Sequence, residues 1–193
     1  MLNRRVGLLQ VTQKDDKRSG SLWPNKMMGS LGDGSVKKGR KIVLITARSE
    51  PTQSASNIVL RGFMDDFLAK NSILAEYTRK NVTLMVVPIM STDGVLLGNS
   101  ICGVTGQSLK DCLSVECRTV CPELHYLKRL INKLKAEGSQ IVASVHLETT
   151  RDLHGSFMRT VIDSSFPHAV IKKAMLPSLM HENEPYFDLE KCV

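Results

Sequence analysis

The sequence is poor in several features that would place it in a large functional class. Aromatic residues make up only 5% of the 193, with one Trp, three Tyr and five Phe. No basic run is interleaved with them, so a stacking surface for nucleic-acid bases is not expected. Long apolar runs are missing too. Lys41-Ile42-Val43-Leu44-Ile45 is a typical one, far short of the roughly 20 residues that cross a bilayer. Arg4 and Arg5 precede a short apolar stretch near the start, but Gln10 lies in it and no small-residue cleavage pattern follows, so no secretory signal is expected. Cysteines number five, at 102, 112, 117, 121 and 192. An odd count in a chain with intracellular character implies no disulfide framework, and reduced thiols are the expectation. Cys112, Cys117, Cys121 and His125 also fit no zinc spacing, which takes closely spaced ligand pairs from two places.

What is present describes an ordinary folded protein. Hydrophobic residues at 42% and charged residues at 23% suffice for one core, and a single domain over 1–193 is expected. The net charge of +7 is local. Ten Lys or Arg against three Asp lie in the first 41 residues, leaving the remainder near neutral. Arg4, Arg5, Lys37, Lys38, Arg40 and Lys41 form the basic patch, much of it in a loop over 13–40. Such a patch suits an acidic protein tail, RNA or lipid head groups, with a solvated loop face as the plain alternative.

Periodicity predicts an α/β fold. Arg5 to Thr12, Lys41 to Ala47, Asn81 to Ile89 and Gln140 to Leu147 read as strands, the second, apolar and rich in β-branched residues, as a strand buried on both faces, and the last as a further buried strand. Between them, Ile58, Val59, Gly62, Phe63, Phe67 and Leu68 recur at helical spacing from Ser54 to about Asn71. Pro122 to Glu137 is the clearest helix, with Leu124, Leu127, Ile131 and Leu134 on one side, Pro at the start and Gly138 at the stop. Ser91 to Gly94 carries turn chemistry. Gly98 to Cys121 lacks periodicity and reads as a long loop, and loops of that length tend to have a function. Strands alternating with helices predict a mostly parallel or mixed sheet flanked by helices.

Several short segments are collinear with one family. Leu8 to Thr12 resembles a leading "LLTIT" strand, and Ile45-Thr46-Ala47-Arg48 a strand ending in "TAR". Val87 to Val95 (VPIMSTDGV) resembles "VPMLNPDGV", and Gly98 to Cys102 (GNSIC) resembles "GNYRC". Pro122 to Leu134 is similar to the helix that follows an HPxxxxxK segment. Ser165 to Cys192, with Phe166-Pro167 and Tyr186-Phe187-Asp188-Leu189, resembles the segment before the family's last catalytic strands. Together these cover nearly all of the chain and are similar to the cytosolic carboxypeptidases, relatives of the pancreatic zinc carboxypeptidases. The resemblance implies a carboxypeptidase-like α/β fold, shortened at its C-terminal end.

The same resemblance implies where the chemistry belongs, and there the residues differ. The family's His-Pro-Gly-Glu turn supplies two zinc ligands, with a second His from a later strand and an open fourth place for water. Here the turn reads Glu50-Pro51-Thr52-Gln53, and Gln53 offers a neutral amide, a poor zinc ligand. His146 stands at the later position, with His154 before Gly155 as an alternative alignment. A hydrogen-bonded structural histidine is the plain reading of His146, and a loose metal site on Glu50 and His146 is the sharper one. The arginine that polarises the scissile carbonyl belongs where Ile101 stands. The Asn-Arg carboxylate clamp belongs where Lys110 and Asp111 stand, and Asp111 would repel a carboxylate. The general base falls beyond Val193.

The expectation is therefore a pseudoenzyme: no catalytic residues, no cofactor, and a binding or structural role. The family trims glutamates from acidic tails such as those of tubulin, so the implied partner is an acidic tail and the implied location cytoplasmic, with cytoskeletal association. Two alternatives stay open. One is an active zinc metallocarboxypeptidase removing C-terminal glutamates, and the other is an assembly subunit of a larger complex. Neither a membrane nor nucleic acid is an expected partner.

Overall fold

The computed structural model describes residues 9–11, 41–69, 71–113, 119–150, 154–160 and 169–192, with the backbone alone for 9–11 and 169–173. Arg4, Arg5, Lys37, Lys38, Arg40 and the whole basic loop over 13–40 fall outside the described residues. By packing, the chain divides into two compact units, Met1–Thr149 and Thr150–Val193.

In the first unit, the β-branched run predicted as a central strand is β2, Lys41–Ala47. It pairs in parallel with β3, Val82–Val87, on one side and with β4, Gln140–Leu147, on the other. The short β1, Leu9–Val11, adds antiparallel to β3, with Leu9 opposite Val86. The order is β1-β3-β2-β4, a mixed sheet as expected. Alternate side chains of β2 face opposite layers. Ile42 and Leu44, with Met85, pack against Leu130 and Leu134 of α4, Pro122–Ala136. Ile45 and Ala47, with Leu84 and Val86, pack against Leu60 and Phe67 of α1, Ser54–Leu68. Helices thus cover both faces of β2 and β3, whereas β4, at the edge of the sheet, has no fully buried residue and is not the buried strand expected. Ile42, fully buried, contributes about 1.5–3 kcal/mol of apolar transfer free energy.

Two helices of this unit, like the helix of the second unit, are not marked by the sequence pattern. α2, Ile73–Asn81, has no apolar stripe to reveal it, since Ala75 is its only buried residue among nine. End effects define it instead. The Ser72 hydroxyl accepts from the Ala75 amide at 3.2 Å, Glu76 lies in the first turn, and Arg79 and Lys80 in the last, each favourable for the helix dipole. α3, Thr92–Leu97, replaces the turn expected over Ser91 to Gly94, and Gly98 closes it at φ 71°, a left-handed conformation suited to glycine. Of the predicted loop over 98–121, the described part is irregular except for a single 3₁₀ turn, Asp111–Leu113.

Gly94 of α3 shows how the motif segments meet. A Cβ there would lie 2.5 Å from Pro51 Cγ, 2.7 Å from Ser91 Oγ and 2.9 Å from the Cys102 carbonyl oxygen. The post-β2 turn, the post-β3 turn and the GNSIC segment therefore converge on a glycine with no room for a methyl. Gly94→Ala is expected to lower stability by about 1–3 kcal/mol, the usual cost of overpacking, read as a shift in the urea unfolding midpoint. An unchanged midpoint would mean that these segments do not converge here.

The second unit is built on α5, Ala169–Asn183. Its C-terminal turn holds the segment after it, since His181 Nδ1 donates to the Phe187 carbonyl at 3.0 Å. Phe187 is buried, and Ser156 bridges to the same residue.

Candidate functional site

Parallel strands bring their C-terminal ends to one edge of a sheet. Here the chain leaves β2 for β3 on one side and then crosses to β4 on the other. Open α/β sheets bind ligands where the order reverses in this way. The segment after β2 holds the predicted positions Glu50 and Gln53, His146 is the penultimate residue of β4, and Lys110 arrives from the loop after α3.

The backbone at the end of β2 is unusual. Arg48 has φ 55°, a conformation costing a non-glycine residue roughly 1–2 kcal/mol. Neighbouring bonds fix it. Its carbonyl accepts from the Met90 and Ser91 amides, both at 3.2 Å, while its guanidinium Nε and Nη2 donate to the Pro51 carbonyl at 3.0 and 2.8 Å. The turn is thereby tied to the segment after β3 and closed on itself. Thr52 ties it to a third segment, donating through both its amide and its hydroxyl to the Ser100 carbonyl.

Inside that turn lies a chain of polar side chains. Gln53, 2% exposed, accepts at Oε1 from the Glu50 amide and the Ser49 hydroxyl, both at 3.3 Å. Its Nε2 is buried with no partner among the described residues. Ser49 Oγ lies 3.2 Å from His146 Nε2, and Thr46 Oγ1 lies 2.8 Å from His146 Nδ1. Because Ser49 donates to Gln53, it accepts from His146, which places the imidazole proton on Nε2 and the lone pair of Nδ1 on the Thr46 hydroxyl. Both ring nitrogens are used. Desolvation by the surrounding protein lowers the His146 pKa, the Lys110 charge lowers it further, and Glu148 and the Thr46 backbone oppose this.

A depressed histidine pKa means that the unfolded chain binds the proton more tightly. The His146 contribution is present above the unfolded value of about 6.5 and is lost as pH falls below it. The residue retains exposure, so screening keeps the effect small. His146→Asn is expected to remove part of the fall in melting temperature between pH 7 and pH 5. An identical fall in both proteins would exclude His146 as its source.

The charged part of the site centres on Lys110. Its ammonium lies 3.0 Å from Glu50 Oε1 and 3.2 Å from Glu148 Oε2. The two carboxylates are 18% and 27% exposed. The hydrogen bond with Glu50 raises the lysine pKa most, with Glu148 adding to it against desolvation. Three segments, after β2, after β4 and before the 3₁₀ turn, thus meet in one carboxylate–ammonium–carboxylate cluster. Ser108 holds the approach, its hydroxyl accepting from the Lys110 and Asp111 amides at 3.2 and 3.4 Å.

Of the residues singled out from the sequence, Glu50 and Lys110 come together, whereas Gln53 and His146 are joined through Ser49. Asp111 is exposed at the start of the 3₁₀ turn, Ile101 is 40% exposed in the loop after α3, and Lys41 is exposed at the start of β2. His154 belongs to the second unit. Glu148, Ser49, Thr46 and Arg48 were missed. Glu148 lies two residues beyond His146, just after the end of β4, so its nearness to the site was open to a sequence reading. Among the described residues, no group of three or more His, Cys, Asp or Glu could hold a metal ion.

One expectation is overturned. Cys112 and Cys121 form a disulfide, with Cα atoms 6.4 Å apart, so these two are not reduced thiols. The 3₁₀ turn carries Cys112 onto Cys121 at the start of α4, where Leu109, Val120 and Leu124 pack round the pair. Sequence spacing could not show that approach. Cys102 and Cys192 are free.

Comparison with known proteins places this arrangement. The fold superposes on a metallo-carboxypeptidase from Burkholderia cenocepacia with a TM-score of 0.75 at 17% identity, covering 96% of this chain and 44% of that one. A metallo-carboxypeptidase from Pseudomonas aeruginosa gives 0.73 at 15% identity, covering 96% and 42%. In sequence, bovine cytosolic carboxypeptidase 3 is 30% identical over 121 residues, 63% of this chain and 11% of that protein. Mouse cytosolic carboxypeptidase 6 is 28% identical over 187 residues, 95% and 31%. The chain is similar in sequence to the cytosolic carboxypeptidases and has the metallocarboxypeptidase fold. No protein-family model matches it. It spans less than half the length of each of these carboxypeptidases. The α/β fold expected from the sequence is the carboxypeptidase fold, and the site described above lies at the C-terminal ends of its parallel strands. No helix among the described residues is long and apolar enough to cross a membrane.

Proposed function

We propose that this chain is a carboxypeptidase-fold domain without zinc chemistry, serving as a binding or structural protein. The observation that carries the reading is the Lys110 ammonium seated on Glu50 and Glu148. A zinc site needs three protein ligands with free lone pairs and an open fourth position. The residues here do not fit that ion. Glu50 is neutralised by a cation from its own chain, Gln53 presents an amide whose oxygen is occupied, and His146 has both nitrogens engaged. A zinc ion would have to displace a lysine already bound, against its charge.

The carboxylate clamp is replaced as well. With two acidic partners, Lys110 offers no spare positive charge to a peptide C-terminus, and Ile101 offers none. An acidic tail would therefore meet the basic first 41 residues rather than the strand ends. The relatives' description as cytosolic supports a cytoplasmic location, and association with the cytoskeleton is part of the same proposal. The assembly reading is favoured by a separate observation. Ile73 and Leu74 of α2 are 88% and 76% exposed, and Ile58, Val59, Phe63 and Tyr77 on α1 and α2 are exposed too, an apolar surface of the kind that partners cover.

Metal analysis of the purified native protein, with an assay for release of C-terminal glutamate, tests the reading. The expected result is substoichiometric zinc and no release. Stoichiometric zinc together with glutamate release that a chelator abolishes would overturn it and establish the active metallocarboxypeptidase instead.

A further inference from the structure

The loop that carries Lys110 is fastened to the body of the first unit through Cys112. Lys110 immediately precedes the 3₁₀ turn Asp111–Leu113, and the amides of Cys112 and Leu113 bond to Ser108 and Lys110 carbonyls at 3.4 and 3.3 Å. Lys110 and Cys112 therefore belong to one short, internally bonded piece of chain. The disulfide joins that piece to Cys121, the N-cap of α4. α4 is seated on the sheet by Leu130 and Leu134. A continuous path thus runs from the core through α4, Cys121 and Cys112 to the ammonium that fills the space between Glu50 and Glu148.

We propose that the Cys112–Cys121 disulfide is a redox latch that sets how firmly Lys110 closes the acidic pair Glu50 and Glu148. The inference shares the Lys110 cluster and the cytoplasmic location with the proposed function, but its test reads the disulfide and the lysine rather than zinc or peptidase activity, so the two can fail separately. A disulfide in a protein of a reducing compartment is characteristically transient and regulatory. Closure of the latch takes two thiols and a low-molecular-weight disulfide such as oxidised glutathione. One thiolate attacks the small disulfide and expels a thiol, and the second thiolate attacks the mixed disulfide and expels another. Two protein thiols are oxidised and one small disulfide is reduced to two thiols. Opening is the reverse reaction.

Among the described residues, the ties that remain near the 3₁₀ turn in the reduced protein include Lys128 Nζ to the Leu113 carbonyl and Thr105 Oγ1 to the Val120 carbonyl, each at 3.0 Å. Both are exposed and individually weak. The Lys110 ion pairs then have to hold the loop without the covalent tie. Because the ammonium is itself half exposed, each of these pairs is weak by itself. Reduction should loosen the cluster without unfolding the domain.

The native chain is equilibrated in oxidised or in reduced glutathione, and two quantities are read by mass spectrometry: the Cys112–Cys121 linked peptide and the rate at which Lys110 is acylated by a water-soluble amine reagent. The linked peptide is expected only in oxidised buffer, and the acylation rate is expected to rise at least about threefold on reduction, as a released loop constraint would give. Lys80, exposed on α2 and paired with Glu76 at 2.7 Å, serves as the reference and should not change. Cys112→Ser with Cys121→Ser should reproduce the reduced rate in either buffer. If that variant does not fold, the native comparison decides alone. Absence of the linked peptide in oxidised buffer, or a Lys110 rate equal in both buffers, would overturn the proposal.

Discussion

A chain carrying Glu50→His and Gln53→Glu together is expected to bind zinc at least about a thousandfold more tightly than the unaltered chain, because three ligands replace none that is free. Much of the required geometry is already in place. The turn after β2 is held by Arg48, Thr52 and the amides of Met90 and Ser91, none of which is altered. An acceptor at position 53 is already approached by the Glu50 amide and the Ser49 hydroxyl, so one oxygen of a new carboxylate would inherit two donors. His146 would have to release Thr46 or Ser49, and that cost sets the limit on affinity.

Lys110 is the remaining obstacle. The double change deletes Glu50 but leaves Glu148, so the ammonium keeps one partner and a position close to the ion. Adding Lys110→Met should tighten zinc binding again, since like charges at short range oppose each other. Competition against a chelating dye measures all three proteins. Tight zinc binding by the unaltered chain would show that Lys110 does not block the ion. Failure of both the double and the triple variant would show that His146 and the turn are not arranged as a ligand set.

The features most legible in the sequence were those governed by local periodicity. Lys41–Ala47 and Gln140–Leu147 were bounded correctly because a β-branched run between polar segments has few other outcomes, and α4 because its apolar positions recur on one side with Pro122 at the start. α2 escaped because its apolar residues, Ile73 and Leu74, face solvent, so the pattern that normally marks a helix was not imposed by burial. At the site, position and pairing came apart. Resemblance placed Glu50, Gln53, Lys110 and His146 individually, yet no sequence argument could bring Lys110 from the loop onto Glu50 or add Glu148. Those contacts depend on long-range closure through the 3₁₀ turn and Cys121.

That closure makes α4 the element on which both the core and the site depend, and the largest stability effect should be found there. Leu130, 4% exposed, packs with Leu134 on Ile42, Leu44 and Met85. Leu130→Ala removes three carbons' worth of contact at a position enclosed by a β-sheet and its own helix, where neighbours cannot collapse into the gap. The expected loss is about 2–5 kcal/mol, transfer and cavity together, read from urea unfolding followed by far-ultraviolet circular dichroism. Ile73→Ala, at 88% exposure, is the matched control and should change stability by less than about 0.5 kcal/mol. The difference decides more than a core assignment. If α4 seats the latch, Leu130→Ala should also raise Lys110 acylation in oxidised buffer with the disulfide intact, because the covalent tie then leads to a loosened helix. Equal stability losses at positions 130 and 73 would mean that α4 is not packed on β2 and β3, and with it the path from the core to Lys110 would be lost.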